Sequence, residues 1–190
     1  MWLIWAFCII VFVYTYDILS PVTQKIQKRP KNKNVMICFN LCTCVMACAA
    51  VNNKFEDTWN GIEFLYKLPV WLFTSDAMFY FFHRILHTRP MRFIHRTHHN
   101  NIIPRRMDAF DMHPVEAFLL FFLVFSTPVV LLSPPLWLSH FILLYFGCLS
   151  SLQAHNGPDT FHAVHHNTPH VNYGFKHGIF DRLLSTRLWN

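Results

Sequence analysis

Five stretches of this chain are apolar for most of their length, and polar residues are gathered in the intervals between them. Residues 2–19, 35–51, 62–82, 115–132 and 136–152 are the runs. As helices they would be roughly 26–32 Å long at ~1.5 Å per residue, which suits a thin bilayer. Asn40 and Thr43 interrupt the second run, Glu63 and Lys67 sit near the start of the third, and Asp76 lies within it. Ser133-Pro134-Pro135 joins the last two runs as a tight helical hairpin. The pattern predicts an all-α, multi-pass membrane protein forming a single domain over 1–190. No basic segment precedes the first run and no small-residue cleavage site follows it, so it reads as an anchor and not a removed signal peptide.

Composition and charge sharpen this picture. The chain is 53% hydrophobic and 17% aromatic with 14% charged residues, against about 25% charged in an ordinary soluble domain. The net charge of +6 is clustered in a way that fits membrane topology and not nucleic-acid binding. The basic loop 25–33 is cytosolic by the positive-inside rule. Counting spans forward, 52–60 is lumenal, 83–114 cytosolic, the 133–135 turn lumenal and 153–190 cytosolic. Both histidine-rich regions, 83–114 and 153–190, therefore form one cytosolic cap. The six Cys all lie in apolar runs, where Cys behaves as a small hydrophobe, and no disulfide framework is expected.

All 13 His lie between 83 and 177, and eight of them fall on three short ridges. His83 and His87, His95 with His98 and His99, and His162 with His165 and His166 are spaced three and four apart, so each set shares one helix face. Neutral imidazole binds Zn, Cu, Fe and Ni, and eight suit a pair of ions better than one. His155 stands where the fifth run emerges, before the helix-stopping Asn156-Gly157-Pro158, and is the natural ninth ligand. His113, before Pro114, is either a tenth ligand or a substrate-side residue. His140 lies too far along its run to join the site, and His170 and His177 lack ridge spacing.

A zinc peptidase would carry H-E-x-x-H with a general-base Glu, and H-R-I-L-H has no carboxylate. A ferritin-like di-iron site would use E-x-x-H pairs, which are absent. An all-imidazole centre at a membrane surface remains. Asp76 precedes His83 by seven residues and His87 by eleven, which leaves all three within about 20° around a helix. Ligand imidazoles usually donate their second N–H to a carboxylate or carbonyl, so Asp76 is expected to partner His83 or a neighbour of it.

The series H-R-I-L-H, H-R-T-H-H, M-D-A-F-D-M-H-P-V-E, Q-A-H-N-G, H-A-V-H-H and V-N-Y-G-F-K-H-G-I-F-D-R-L resembles the fatty acid hydroxylase/sterol desaturase superfamily. It is most similar to the sterol C-5 desaturase branch. The resemblance covers about 76–187 and implies an endoplasmic-reticulum oxidoreductase holding two iron ions, using O₂, with electrons from cytochrome b5 or a reductase. It implies the ligand set His83, His87, His95, His98, His99, His155, His162, His165 and His166, with Asn172, Tyr173, Gly174 and Asp181 bracing the last ridge. Phe180 stands where relatives carry Trp, a mild change; the chain is also shorter at both ends than most of them, which implies a reduced pocket or a divergent substrate. The function expected is desaturation or hydroxylation of a sterol or related lipid drawn from the bilayer. The alternatives are a fatty-acid or alkyl-lipid hydroxylase of the same superfamily, or a non-redox membrane metal-binding or transport protein. A transporter should place ionisable groups deep in several spans, whereas only Asp76 is clearly intramembrane, near the cytosolic end of its run. Arg84, Arg92, Arg96, Arg105 and Arg106 offer a basic surface to an acidic electron donor.

Overall fold

The structure, a computed structural model, describes residues 2–19, 31–49, 58–157, 160–175 and 178–188. Their regular structure is helical throughout. Helix α1 is Trp2–Leu19, α2 is Lys31–Ala49 and α3 is Gly61–Leu86. A one-turn helix, α4, spans Arg92–His95. Then come α5 (Pro114–Leu132) and α6 (Leu136–Ala154), followed by the short α7 (Phe161–Asn167) and α8 (Ile179–Leu183). As far as the described residues go, each of the five apolar runs lies on one of the long helices.

Helix α3 shows why its charged residues sit where they do. Asn60 accepts from the Glu63 amide at 2.9 Å, and Glu63 accepts in return from the Asn60 amide at 2.9 Å. This capping box satisfies two donors that the first turn leaves open. Lys67 then pairs with Glu63 at 2.8 Å, one turn on. The helix runs four residues past the apolar stretch, so His83 stands in its last turn.

Helices α5 and α6 are long and apolar enough to cross a membrane, and Leu3–Leu19 forms a shorter apolar helix. Both long helices widen midway into π-helical turns, at Phe122–Ser126 and Leu143–Leu149. Gly147 lies in the second of these. A Cβ there would come within 2.8 Å of the Phe125 ring, so the two helices approach closely only because that position is glycine. Between them, Ser133 takes a left-handed conformation (φ 46°) and ends α5. Residues 20–30 and 50–57, which carry much of the expected orientation, lie outside the described residues.

One apolar cluster joins the helices, with Ile9 and Val13 of α1, Ile37 and Leu41 of α2, and Ile142 and Leu143 of α6 among its buried members. Polar ties cross it. Asn40, which interrupts the second apolar run, is fully buried and donates to the Phe110 and Met112 carbonyls at 2.9 Å each. Lys33 pairs with Asp111, and Arg106 donates to the Asp17 carboxylate at 3.2 Å and to its carbonyl at 3.1 Å. Helices α1 and α2 thus hold the 105–112 segment that leads into α5. Arg106 is buried by this pairing and does not belong to the basic surface expected of it.

Candidate metal centre

The three ridges and the end of α6 converge on one place. His83 comes from the last turn of α3 and His87 caps that helix. His95 ends α4, His98 and His99 lie in the single turn after it, and His162, His165 and His166 line α7. Their nitrogens gather into two groups, each compact enough to hold a metal ion. His83, His87, His95, His99 and His165 make one; His98, His155, His162 and His166 make the other, with the ligand atoms of each group within 4.8 Å of one another.

The ring nitrogens are oriented by what lies behind them. Nδ1 of His83 donates to the Tyr173 carbonyl at 2.7 Å, that of His165 to Val171 at 2.7 Å, and that of His155 to Ser151 at 2.8 Å. His166 donates to Asn101 at 3.1 Å, and His95 donates to Glu116 Oε1 at 2.6 Å. With the proton fixed on Nδ1, each Nε2 presents a lone pair. Nε2 of His83 and His95 stand 3.0 Å apart, and Nε2 of His165 stands 3.0 Å from that of His87 and 3.1 Å from that of His99. In the second group the His155 and His98 Nε2 atoms are 3.3 Å apart. Between His83 and His95, both with the proton on Nδ1, lone pairs held so close repel unless a cation lies between them. Two nitrogens ~2.1 Å from one ion at angles of ~90–109° are about 3.0–3.4 Å apart, so the donors fit.

Burial keeps these rings neutral. It lowers the pKa of His87 to about 3 and those of His99 and His155 to about 4. Desolvation also lowers His83, His95, His98, His162, His165 and His166, and neighbouring imidazoles add to the effect. A neutral ring is the form that ligates.

A cavity of about 550 Å³ opens from this centre between α3, α5 and α6. Phe79, Phe121, Val124, Phe125 and Ile142 make much of its wall, and His83, His95, His98, His155 and His162 close one end. An apolar slot thus ends on imidazoles.

The sequence pattern of the family described as Fatty acid hydroxylase matches residues 68–186. The chain belongs to the fatty acid hydroxylase family. Among curated relatives it is 31% identical to methylsterol monooxygenase 1 of Danio rerio, over 59% of this chain and 43% of that protein. It is 27% identical to a Delta(7)-sterol 5(6)-desaturase of Gibberella zeae, over 64% of this chain and 37% of that protein. The chain spans about two-fifths of the length of the curated relatives it matches. No solved structure matches it. The family match agrees with the resemblance carried by the histidine motifs, and both relatives are sterol oxidoreductases by name.

All nine histidines expected as ligands on the family pattern fall in the two groups. His113 does not. It caps α5, its Nδ1 accepting from the Val115 amide at 3.2 Å, and it stands outside both groups and outside the residues that line the cavity. His140 packs on Trp5, ring centroids 4.5 Å apart, and His170 is exposed. His177 lies outside the described residues.

Asp76 is not the partner of His83, whose Nδ1 is taken by Tyr173. The two share a face of α3, but seven residues rise about 10 Å, too far for a carboxylate to reach the ring. Asp76 lines the cavity instead, with Oδ2 buried and without a hydrogen-bond partner. The carboxylate behind a ligand is Glu116. Both it and His95 are buried, at 1% and 3% exposure. The available sequence signal was its place in H-P-V-E, in the first turn of an apolar helix directly after the first histidine-rich segment.

The closing motif supports the centre through its backbone. Asp181, fully buried, accepts from the Tyr173 amide at 2.8 Å, the Gly174 amide at 2.6 Å and the Thr186 hydroxyl at 2.7 Å. Asn172, at φ 55°, donates to the carbonyls of Phe161 and Leu188 and accepts from the Leu188 amide at 2.7 Å. Together they set the Val171 and Tyr173 carbonyls against His165 and His83, so the motif serves the first ridge as well as the last. Phe180, the departure from the family's Trp, packs with Phe73, Tyr80 and Phe81, its ring centroid 5.2–5.9 Å from theirs.

Proposed function

We propose that this chain is a membrane-embedded, iron-dependent oxidoreductase that uses O₂ to desaturate or hydroxylate a sterol or related lipid. The observation that carries the reading is the pair of imidazole groups, five of whose rings line an apolar cavity. The sterol relatives favour a sterol over a fatty-acyl substrate. One iron ion in each group would supply what side chains lack, the activation of O₂ for removing hydrogen from an unactivated C–H bond.

The chain's own part is to hold and orient. Carbonyls of Tyr173, Val171, Ser151 and Asn101, with the Glu116 carboxylate, fix five rings with Nε2 inward. The aromatic and aliphatic walls exclude water and align a greasy molecule along α3. Large apolar side chains on the outer surface support a lipid setting, among them Leu3 at 80%, Leu65 at 77% and Leu131 at 64% exposure.

In this reading the protein is multi-pass in the endoplasmic-reticulum membrane, its histidine cap facing the cytosol. Electrons come from cytochrome b5 or a reductase, docking on a basic face that includes the exposed Arg84, Arg92 and Arg96. Lipid profiling of cells expressing the chain, against a His98→Ala control, tests the activity. A new oxidised sterol absent from the control is expected; identical sterol profiles would sink the reading. Epitope tags within 52–60 should be lumenal, and a tag after Asn190 cytosolic.

A further inference from the structure

Seven of the nine ligand imidazoles are buried, at 4% exposure or less. The two that are not, His87 and His99, belong to the same group of five, whereas all four rings of the other group are buried. Neither His87 nor His99 lines the cavity, so what they expose faces the outer surface of the histidine cap. Their chain neighbours agree: Thr88, Arg89 and Pro90 after His87, and Asn100 after His99, are exposed. The centre therefore has an outer group of five imidazoles and an inner group of four.

His99 joins the two. Along His87, His165 and His99 of the outer group, successive Nε2 atoms are 3.0 and 3.1 Å apart. The His99 ring also stacks on that of His166 in the inner group, centroids 4.6 Å apart and planes 28° from parallel. A row of imidazoles thus runs from the cap surface to the inner group. From the cavity side the same group is reached only along aromatic and aliphatic walls, where a divalent ion would lose its water with few donors to replace it. Two groups stand over the outer opening. The exposed Arg92 is close enough for its charge to act on both His87 and His99, and the exposed His170 acts on His87.

We propose that metal ions enter from the outer face of the cap, past His87 and His99, and that the inner group is filled through the outer one. Arg92 then slows the loading of both ions by repelling an incoming cation. The proposal rests on the two groups binding metal, whatever reaction follows.

The test is the rate of zinc uptake by full-length, metal-free protein in phosphatidylcholine nanodiscs, with metal content counted at the end. His166→Ala isolates uptake by the outer group. His87→Ala weakens the outer group and leaves uptake by the inner one. Arg92→Gln and Arg92→Glu are added to the parent and to each background. They should speed uptake in that order, the second by about tenfold at low salt, with the gain shrinking as salt rises. A merely structural role for Arg92 would change metal content and not a salt-dependent rate. Acceleration in the His166→Ala background but not in His87→Ala gives the inner group its own entrance and overturns the proposal. Unchanged rates throughout place the entrance elsewhere and overturn it too. Should a histidine variant fail to fold, the parent still decides, because both of its ions must load faster with Arg92→Glu. Protein that takes up no zinc overturns the metal reading with this one. Loading as proposed in a protein that oxidises no lipid counts against the oxidoreductase reading alone.

Discussion

His95 donates through Nδ1 to Glu116 at 2.6 Å, and the two side chains are buried together in the wall that the metal centre shares with the cavity. The contact joins the second histidine motif to the first turn of α5. It fixes which nitrogen of His95 faces the centre and strengthens that nitrogen as a donor.

Replacing Glu116 by Ala should therefore lower metal affinity by about 10–100-fold, with Gln costing less. Metal content after dialysis against graded chelator checks this. A Glu116→Ala protein that keeps its metals like the parent would reduce the contact to packing.

Asp181 serves the opposite side through backbone. Its loss leaves the half-buried Tyr173 amide and the buried Gly174 amide without their acceptor. Hydrogen bonds to a charged group are worth about 1.5–3 kcal/mol each, so Asp181→Ala should cost several kcal/mol and lower the melting temperature sharply. Gly174→Ala should act through the same contact, since its Cβ would stand 2.6 Å from the Asp181 carboxylate. Thermal melts of both variants check the ordering, and parent-like melting would refute it.

His113→Ala separates capping from ligation. Loss of an N-cap costs about 0.5–2 kcal/mol, and metal content should not change. If metal were lost with the fold intact, the placement of His113 outside the centre would be wrong.

The metal-free protein should lose stability in mild acid. His titrates near 6.5 when unfolded, but folding lowers His87 to about 3 and His99 and His155 to about 4 by burial. Between those values the unfolded chain binds more protons than the folded one, so stability rises with pH across this window and levels off above it. Melting temperature of chelator-treated protein should fall steadily from pH 7 to pH 5. A flat profile would mean the imidazoles are not buried as described.

The parts of this account legible in the sequence are the local ones. Helical spacing of three and four put eight histidines on ridges, and the Asn156-Gly157-Pro158 turn singled out His155. Hydrophobic run lengths located the five long helices to within a few residues. Tertiary contacts were not legible. Asp76 and His83 have the right angular register on α3, but register around a helix does not shorten the rise along it. Glu116 and His95 are 21 residues apart in sequence, on elements whose packing no local pattern encodes. Asn40, polar within an apolar run, looked like a weakness; it ties α2 to the loop before α5.

The central claim is that the nine imidazoles form two metal sites and not one diffuse cluster. Metal analysis of purified parent, His87→Ala and His166→Ala proteins tests it most directly, one variant in each group. Two ions per chain are expected in the parent, with each variant losing the ion of its own group first. A parent that saturates at one ion, or variants that both retain two, would contradict the account.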